Sequence, residues 1–491
     1  MGRMGKRLGA ATTVLAVAAG VIGYRTVTFE PEAVASPDGV RLAAMPAFDE
    51  AAAARNLSAA VRFKTISHQD AAENDWSQWS TFQSWLQSTY PLMHKAMVRE
   101  IVADQTLLYR WEGSDPQAEP IILMAHQDVV PVTPGTEKDW KHAPFDGEIA
   151  DGAVWGRGSV DDKGSLVCLF EAMEALARQG FKPKRTVYLV SGHDEEVGGK
   201  GAKATAELLK ARGVKALFTI DEGSVIVADA PVVNKPAIMI GVAEKGYATL
   251  KVTANAPGGH SSMPPKETGV INLAKAVIAI NENQFPLRLD GPALSMIEAL
   301  AAEKGGSIKL AVANRWLFGP LVKGQVGDSP SGAASLHTTI APTMLQGSPK
   351  ENVLPQSANA LINYRIAPWD RSTDVMARAK EATQGMPVTL DWVEPPREPT
   401  PVSSTTSDGW RFITAAARVQ AKDAVIAPYL VVAGTDSRNF SAVSRDVYRF
   451  MPMLFTMKET AMIHGTNEHM SIENLRRMVG FYAQLIATAA G

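Results

Sequence analysis

The chain has 491 residues, 46% of them hydrophobic and 20% charged, with a formal net charge of -2. That length exceeds what one hydrophobic core serves, so two domains are expected, and the composition excludes a disordered chain. A near-neutral balance gives no sign of a nucleic-acid partner, and the single cysteine, Cys168, excludes a disulfide framework and a cysteine metal site.

At the N-terminus, Arg3, Lys6 and Arg7 precede a charge-free run from Leu8 to Tyr24. This is the pattern of an export signal or a short membrane anchor over residues 1–28. Small-x-small triplets at Ala16-Val17-Ala18 and Ala33-Val34-Ala35 are poorly placed for cleavage. An uncleaved anchor is therefore expected, with the globular part outside the cytoplasm; cleavage would give a secreted or periplasmic protein. Residues 29–47, rich in Pro and Ala, read as a linker.

Helices are expected from Asp49 to Lys64 and from Asp75 to Tyr90, the second stopped by Pro91. Strand and helix patterns then alternate: Met97 to Trp111, Pro120 to Met124, a helix from Gly164 to Gln179, Thr186 to Ser191, a helix from Gly201 to Arg212, and Ala216 to Ile220. Alternation of this kind predicts an α/β catalytic domain, a largely parallel sheet flanked by helices, beginning at residues 48–243. From about Tyr247 the order becomes strand, helix, strand, strand, helix, strand, a β-α-β-β-α-β module over residues 244–394. It is interrupted at 286–334 by a long insert holding Trp316-Leu317-Phe318-Gly319-Pro320-Leu321, which reads as packing or as a path for an acyl chain. Residues 395–491 return to the catalytic domain.

The polar residues fall at one edge of this sheet. His126 and Asp128 follow one strand, His193-Asp194-Glu195-Glu196 another, and Asp221-Glu222 a third. Asp161 and Asp162 sit side by side in the glycine-rich stretch Gly156–Ser165, just ahead of a helix. Strand C-terminal ends in a parallel sheet converge on one crevice. His, Asp and Glu without Cys suit a hydrolytic divalent-metal site. Two ions need a bridging carboxylate, for which Asp161 is suited, with His126 and Asp221 on one metal and Glu196 and His464 on the other. Glu195 is left free as general base, and Asp128 can orient the His126 ring.

The motifs Met124–Pro131, Gly156-Arg157-Gly158 through Gly164, His193–Glu196, Asp221-Glu222-Gly223, Gly258-Gly259-His260-Ser261-Ser262 and His464-Gly465 resemble the dinuclear-zinc family of carboxypeptidase S, glutamate carboxypeptidase and aminoacylase. The insert near Asn314–Leu321, with Lys350–Pro355 and Gly434-Thr435-Asp436-Ser437-Arg438, is most similar to the carboxypeptidase S branch, which includes N-fatty-acyl amino acid hydrolases. The resemblance implies two Zn2+ (Co2+ or Mn2+ can share the ligands) and the roles given above. It also implies a cis peptide at Asp161–Asp162 and a β-α-β-β-α-β lid that often forms a homodimer interface. From that lid His260 would stabilise the oxyanion, while Asn352, Arg365 and the backbone at Gly434 and Thr435 would hold the substrate carboxylate. The implied substrate is a peptide or an N-acyl amino acid. The competing readings are a membrane-tethered protein that binds peptides without cleaving them, and an aminopeptidase using the same metals.

Overall fold

The computed structural model describes residues 2–31 and 34–491, the side chains of 2–12 and 14 excepted. Ile121–Met124 is the centre of the larger sheet. It lies parallel to Val187–Ser191 on one side and to Ala216–Asp221 on the other. All four of its residues are buried. Ile121 and Leu123 join one apolar cluster, with the helices Lys163–Arg178 and Ile472–Ala490. Ile122 and Met124 join the cluster on the opposite face, under Lys200–Ala211. A strand enclosed on both faces has no polar side to alternate with, which is why its sequence is a continuous apolar run.

The sheet is mixed rather than parallel throughout. Ser444–Arg449 runs parallel to Ala216–Asp221, and Val425–Val431 parallel to Ala237–Glu244. Val98–Val102 and Thr106–Trp111 form an antiparallel hairpin at one edge. Pro91 does not merely stop the preceding helix Trp76–Thr89; it opens a further one, Pro91–Ala96, at a position where its missing N–H costs nothing.

A second sheet, entirely antiparallel, runs Thr339–Gln346, Ser357–Ile366, Gly246–Asn255, Val388–Trp392 in space. Its two central strands alternate buried residues with less buried ones, while the edge strand Thr339–Gln346 is largely exposed. Helices Gly269–Glu282 and Ser372–Ala382 cover the apolar face, with Leu250, Val252, Ile362 and Tyr364 beneath them. Two strands join this module to the larger domain. The entering one at Tyr247 and the leaving one at Arg397 exchange both backbone hydrogen bonds, each 2.8 Å.

The insert is helical: Gly291–Lys304, Gly306–Ala313, Arg315–Gly327 and Pro330–Leu336. Its first helix packs Ala299, Met296 and Leu300 on Ala427 and Met239 of the larger sheet. Trp316, Leu317 and Leu321 remain exposed, so these three are not core.

The N-terminal helix Gly2–Val27 runs through the presumed anchor. Among the described residues no helix is long and apolar enough to cross a membrane, so the anchor expectation finds no support in the described structure; the basic flank it used, Arg3 to Arg7, lies among side chains outside that description. The C-terminal turns of this helix instead meet the insert, where Asn314 Nδ2 donates to Ile22 O at 3.3 Å and to Thr26 Oγ1 at 3.1 Å. The segment expected as a free linker is strapped to the larger domain: Ala35 bonds Thr405 and Trp410, and Ala43 bonds Thr488 and Gln484.

Phe170 is fully buried against Tyr90 and Tyr109, whereas Trp316 is 56% exposed. Phe170→Ala is expected to cost about 3–5 kcal/mol through lost burial and a residual cavity, and Trp316→Ala to stay within about 0.5 kcal/mol of the parent. Urea unfolding followed by circular dichroism checks both.

Candidate metal centre

Four of the candidate ligands are delivered by backbone that leaves the C-terminal end of a central strand. His126 follows Ile121–Met124, Glu195 and Glu196 follow Val187–Ser191 in a 3-10 turn, and Glu222 follows Ala216–Asp221. Asp161 comes from the turn ahead of helix Lys163–Arg178, and its peptide bond to Asp162 is cis. His464 arrives from the far end of the chain, in a loop before Ile472–Ala490.

These groups meet around Asp161. One carboxylate oxygen of Asp161 is 2.9 Å from His126 Nε2, and the other is 3.0 Å from His464 Nε2. His464 Nε2 is also 3.1 Å from Glu196 Oε2. The ligand atoms of His126, Asp161 and Glu196 all lie within 4.8 Å of one another. A second grouping of the same kind joins His126, Glu195 and Glu222.

Asp128 organises two parts of this constellation at once. Its Oδ1 is 3.3 Å from His126 Nδ1, and its carbonyl 3.0 Å. The same carboxylate accepts the backbone N–H of Glu195 at 3.1 Å and of Glu196 at 3.2 Å, and the Ser67 hydroxyl at 2.7 Å. It therefore fixes the imidazole and the turn that carries both glutamates in one frame.

Glu468 does the same for the Asp161 loop. Its Oε1 accepts three backbone N–H groups, from Gly158 and Val160 at 2.9 Å and from Asp161 at 3.1 Å. Its Oε2 takes a 2.6 Å bond from Arg157 Nη1, and Arg157 Nη2 donates to the carbonyls of His464 and Gly465. Held there, His464 adopts φ of 61°, in the left-handed region. For a residue with a Cβ that conformation costs about 1–3 kcal/mol and persists only where neighbours enforce it.

Electrostatics supply the test of whether a metal fits. Burial pushes Glu195 well above the usual carboxylate range, opposed by His126 and reinforced by Asp436 and Glu196. Burial does the same to Glu222, with Asp161 and Asp162 adding repulsion. For Asp161 burial works upward too, but the His126 and His464 contacts overcome it and hold the carboxyl well below its ordinary value. His464 is pushed up to about 10 by Asp161 and Glu196. One buried oxygen of Glu196 has no hydrogen-bond partner. A buried excess of carboxylates with imidazole nitrogens between them, and an orphaned oxygen facing inward, is the donor chemistry of a divalent cation.

The other sequence-derived candidates do not enter these two groupings. Asp221 is buried, but its Oδ2 accepts the Ser437 N–H at 2.9 Å, and it is Glu222 that joins the His126 grouping. His260 pairs with Val353 across a two-residue ladder and is exposed, and Asn352, next to Val353, is exposed with it. Arg365 lies in Ser357–Ile366, opposite Tyr247. Thr435 is buried, donating its hydroxyl to Glu244 at 2.6 Å, and Gly434 beside it is exposed. Of the remaining histidines, His94 is satisfied by the Tyr90 carbonyl and the Tyr109 hydroxyl.

With the geometry in place, the comparisons with known proteins are direct. Residues 122–488 match peptidase family M20/M25/M40. The N-fatty-acyl-amino acid synthase/hydrolase PM20D1.1 of Danio rerio is 36% identical over 440 residues, covering 88% of this chain and 84% of that one. A probable carboxypeptidase S-like protein of Dictyostelium discoideum is 35% identical with the same coverage. Among solved structures, an M20 family metallo-carboxypeptidase from Sulfolobus solfataricus has the same fold, with a TM-score of 0.64 at 16% identity, over 89% of this chain and 99% of that one. The chain therefore belongs to peptidase family M20/M25/M40, in its carboxypeptidase S-like branch, and is a hydrolase of the metallopeptidase type.

Proposed function

We propose that this hydrolase uses two divalent cations to cleave the amide bond of peptides or N-acyl amino acids that carry a free carboxylate. The observation that supports it most is Asp161, whose two oxygens face His126 and His464 separately. A carboxylate so placed can serve two ions. His126 and Glu222 would complete one ion's ligands and Glu196 and His464 the other's, with Glu222 taking the position that sequence reasoning gives to Asp221. Zinc suits this set, and cobalt or manganese can share it. Such a pair, when bound, polarises a carbonyl and acidifies water.

The chain's own groups do the rest. Glu195 stands in the second ligand grouping, with backbone held by Asp128. In this buried setting its carboxylate takes the proton from the attacking water and returns it to the leaving amine. Arg365, Asn352 and the backbone at Gly434 and Thr435 would hold the substrate carboxylate, and His260 the developing oxyanion. His260 and Asn352 lie on the exposed side of the lid, so they serve a cleft only on lid closure or in a homodimer formed through the lid. The curated relatives named as carboxypeptidase S-like and as N-fatty-acyl-amino acid hydrolase support the substrate class.

Glu195→Gln is expected to lower kcat on an N-acyl amino acid or a Gly-Xaa dipeptide by about 10²–10⁴-fold while metal content stays unchanged. Full turnover by that variant overturns its role as base. Elemental analysis of the zinc-loaded protein is expected to find two ions per chain, and a chelator to abolish turnover until metal is restored. Glu222→Gln should lower metal occupancy more than Asp221→Asn; the reverse order returns the ligand role to Asp221.

A further inference from the structure

Tyr247 stands in the strand that enters the lid, and a guanidinium lies over its ring from each neighbouring strand. Arg365 is its cross-strand partner on one side and Arg397 on the other. The Arg365 guanidinium carbon is 4.7 Å from the ring centroid, and that of Arg397 is 5.1 Å. Among the described residues neither guanidinium makes a hydrogen bond or an ion pair. Arg438 continues the row toward the metal ligands: it is the charge that Arg397 feels most, and its Nη1 is 3.9 Å from Glu195 Oε1. Lys245, two residues before Tyr247, adds a further cation on the Arg365 side.

Ring stacking alone does not account for this arrangement. A cation over an aromatic face gains about 0.5–1 kcal/mol at an exposed site, while like charges brought together and partly desolvated oppose one another. Burial lowers the pKa of both Arg365 and Arg397, and Arg397 is lowered further by Arg438. A purely structural pair would bring an acid with it, as Arg157 and Arg449 do elsewhere in this chain with Glu468 and Glu244. Arg365 and Arg397 have no such ion pair, the acid of Glu394 acting on Arg397 only weakly and from a distance, and guanidinium forks left unpaired can receive carboxylates from a ligand.

In the proposed reading Arg365 holds one carboxylate, and Arg397, paired to Tyr247 from the other side of its strand, has none to bind. The geometry points to Arg397 as a second anion-binding position, so that the cleft takes a substrate whose free-carboxylate residue has an acidic side chain, a glutamyl or aspartyl residue. Given the hydrolase reading above, on which it rests, this subsite selects N-acyl or peptidyl glutamate over the isosteric glutamine. The three-carbon chain joining the two carboxylates of glutamate is flexible enough to set one on each side of Tyr247. Arg397 acts here on substrate choice, not on the bond cleaved.

The test uses the zinc-loaded full chain and the pair N-acetylglutamate and N-acetylglutamine, with binding measured by calorimetry and hydrolysis measured in parallel. The parent is expected to bind the glutamate ligand about tenfold more tightly, a difference of about 1.4 kcal/mol. Arg397→Gln is expected to collapse the ratio toward one, and Arg397→Lys, which keeps the charge without the fork, to retain part of it. Equal binding of the two ligands by the parent overturns the subsite, as does a preference that survives Arg397→Gln. If the glutamate preference and its loss are seen while neither ligand is hydrolysed, the subsite stands and the hydrolase reading fails for this substrate class. Hydrolysis without discrimination is the opposite result.

Discussion

The buried carboxylate of Glu468 is the tie on which the rest of the site depends. Through three backbone N–H groups it shapes the loop of Asp161, and through Arg157 it reaches the carbonyls of His464 and Gly465. Residues separated by most of the chain's length are thereby locked to each other before any cation is considered. Removing one partner of a buried ion pair costs about 3–5 kcal/mol, because the other is left uncompensated. Here the cost would extend to both sides of the Asp161 carboxylate, which faces His126 and His464, since the His464 carbonyl is held by Arg157 in a left-handed backbone.

A division of labour follows between groups that hold and groups that react. Asp128 and Glu468 have their oxygens taken up by N–H donors, a hydroxyl and a guanidinium, so they are spent on geometry. Glu195, Glu196 and Glu222 are the reverse case. Burial raises all three carboxyls, and neighbouring acids raise them further. A carboxylate with few protein donors in a buried site is poised to gain from a cation or a proton. The same division separates Asp221 from Glu222. Asp221 closes its strand and receives the Ser437 N–H on one oxygen, while the residue one step further groups with His126.

That step marks how far the sequence could be read. The apolar run Ile121–Met124, with its His and Asp just beyond, places one strand end and its chemistry without ambiguity, because a doubly buried strand and a polar exit differ so sharply. Successive residues near a strand's end point to opposite sides, and the end itself cannot be located within a residue or two, so the sequence favoured Asp221 where the structure groups Glu222 with His126. Glu468 was visible only as an acid close to His464; its N–H partners lie some three hundred positions away, and nothing local announces them. The insert 286–334 hid its helices for another reason. Its glycines and prolines, Pro320 within Arg315–Gly327 among them, imitate loop punctuation while tertiary packing holds the turns. Arg397 was concealed in the same way, by the prolines around it.

At the crossing between the domains, the proposed subsite would distinguish ligands by charge more than by shape. The two segments crossing between the domains are paired at Tyr247 and Arg397, so the cations they carry lie at that crossing. An anion seated between Arg365 and Arg397 would contact both the entering and the leaving segment, and Arg438 carries its field to the edge of Glu195. Ligand charge would thus be sensed at the point where the domains meet, by groups whose mutual repulsion falls when a carboxylate arrives. A substrate lacking that charge would leave the repulsion between the guanidinium groups in place, so in the proposed subsite the acidic ligand gains twice, from its own ion pairs and from the repulsion it relieves.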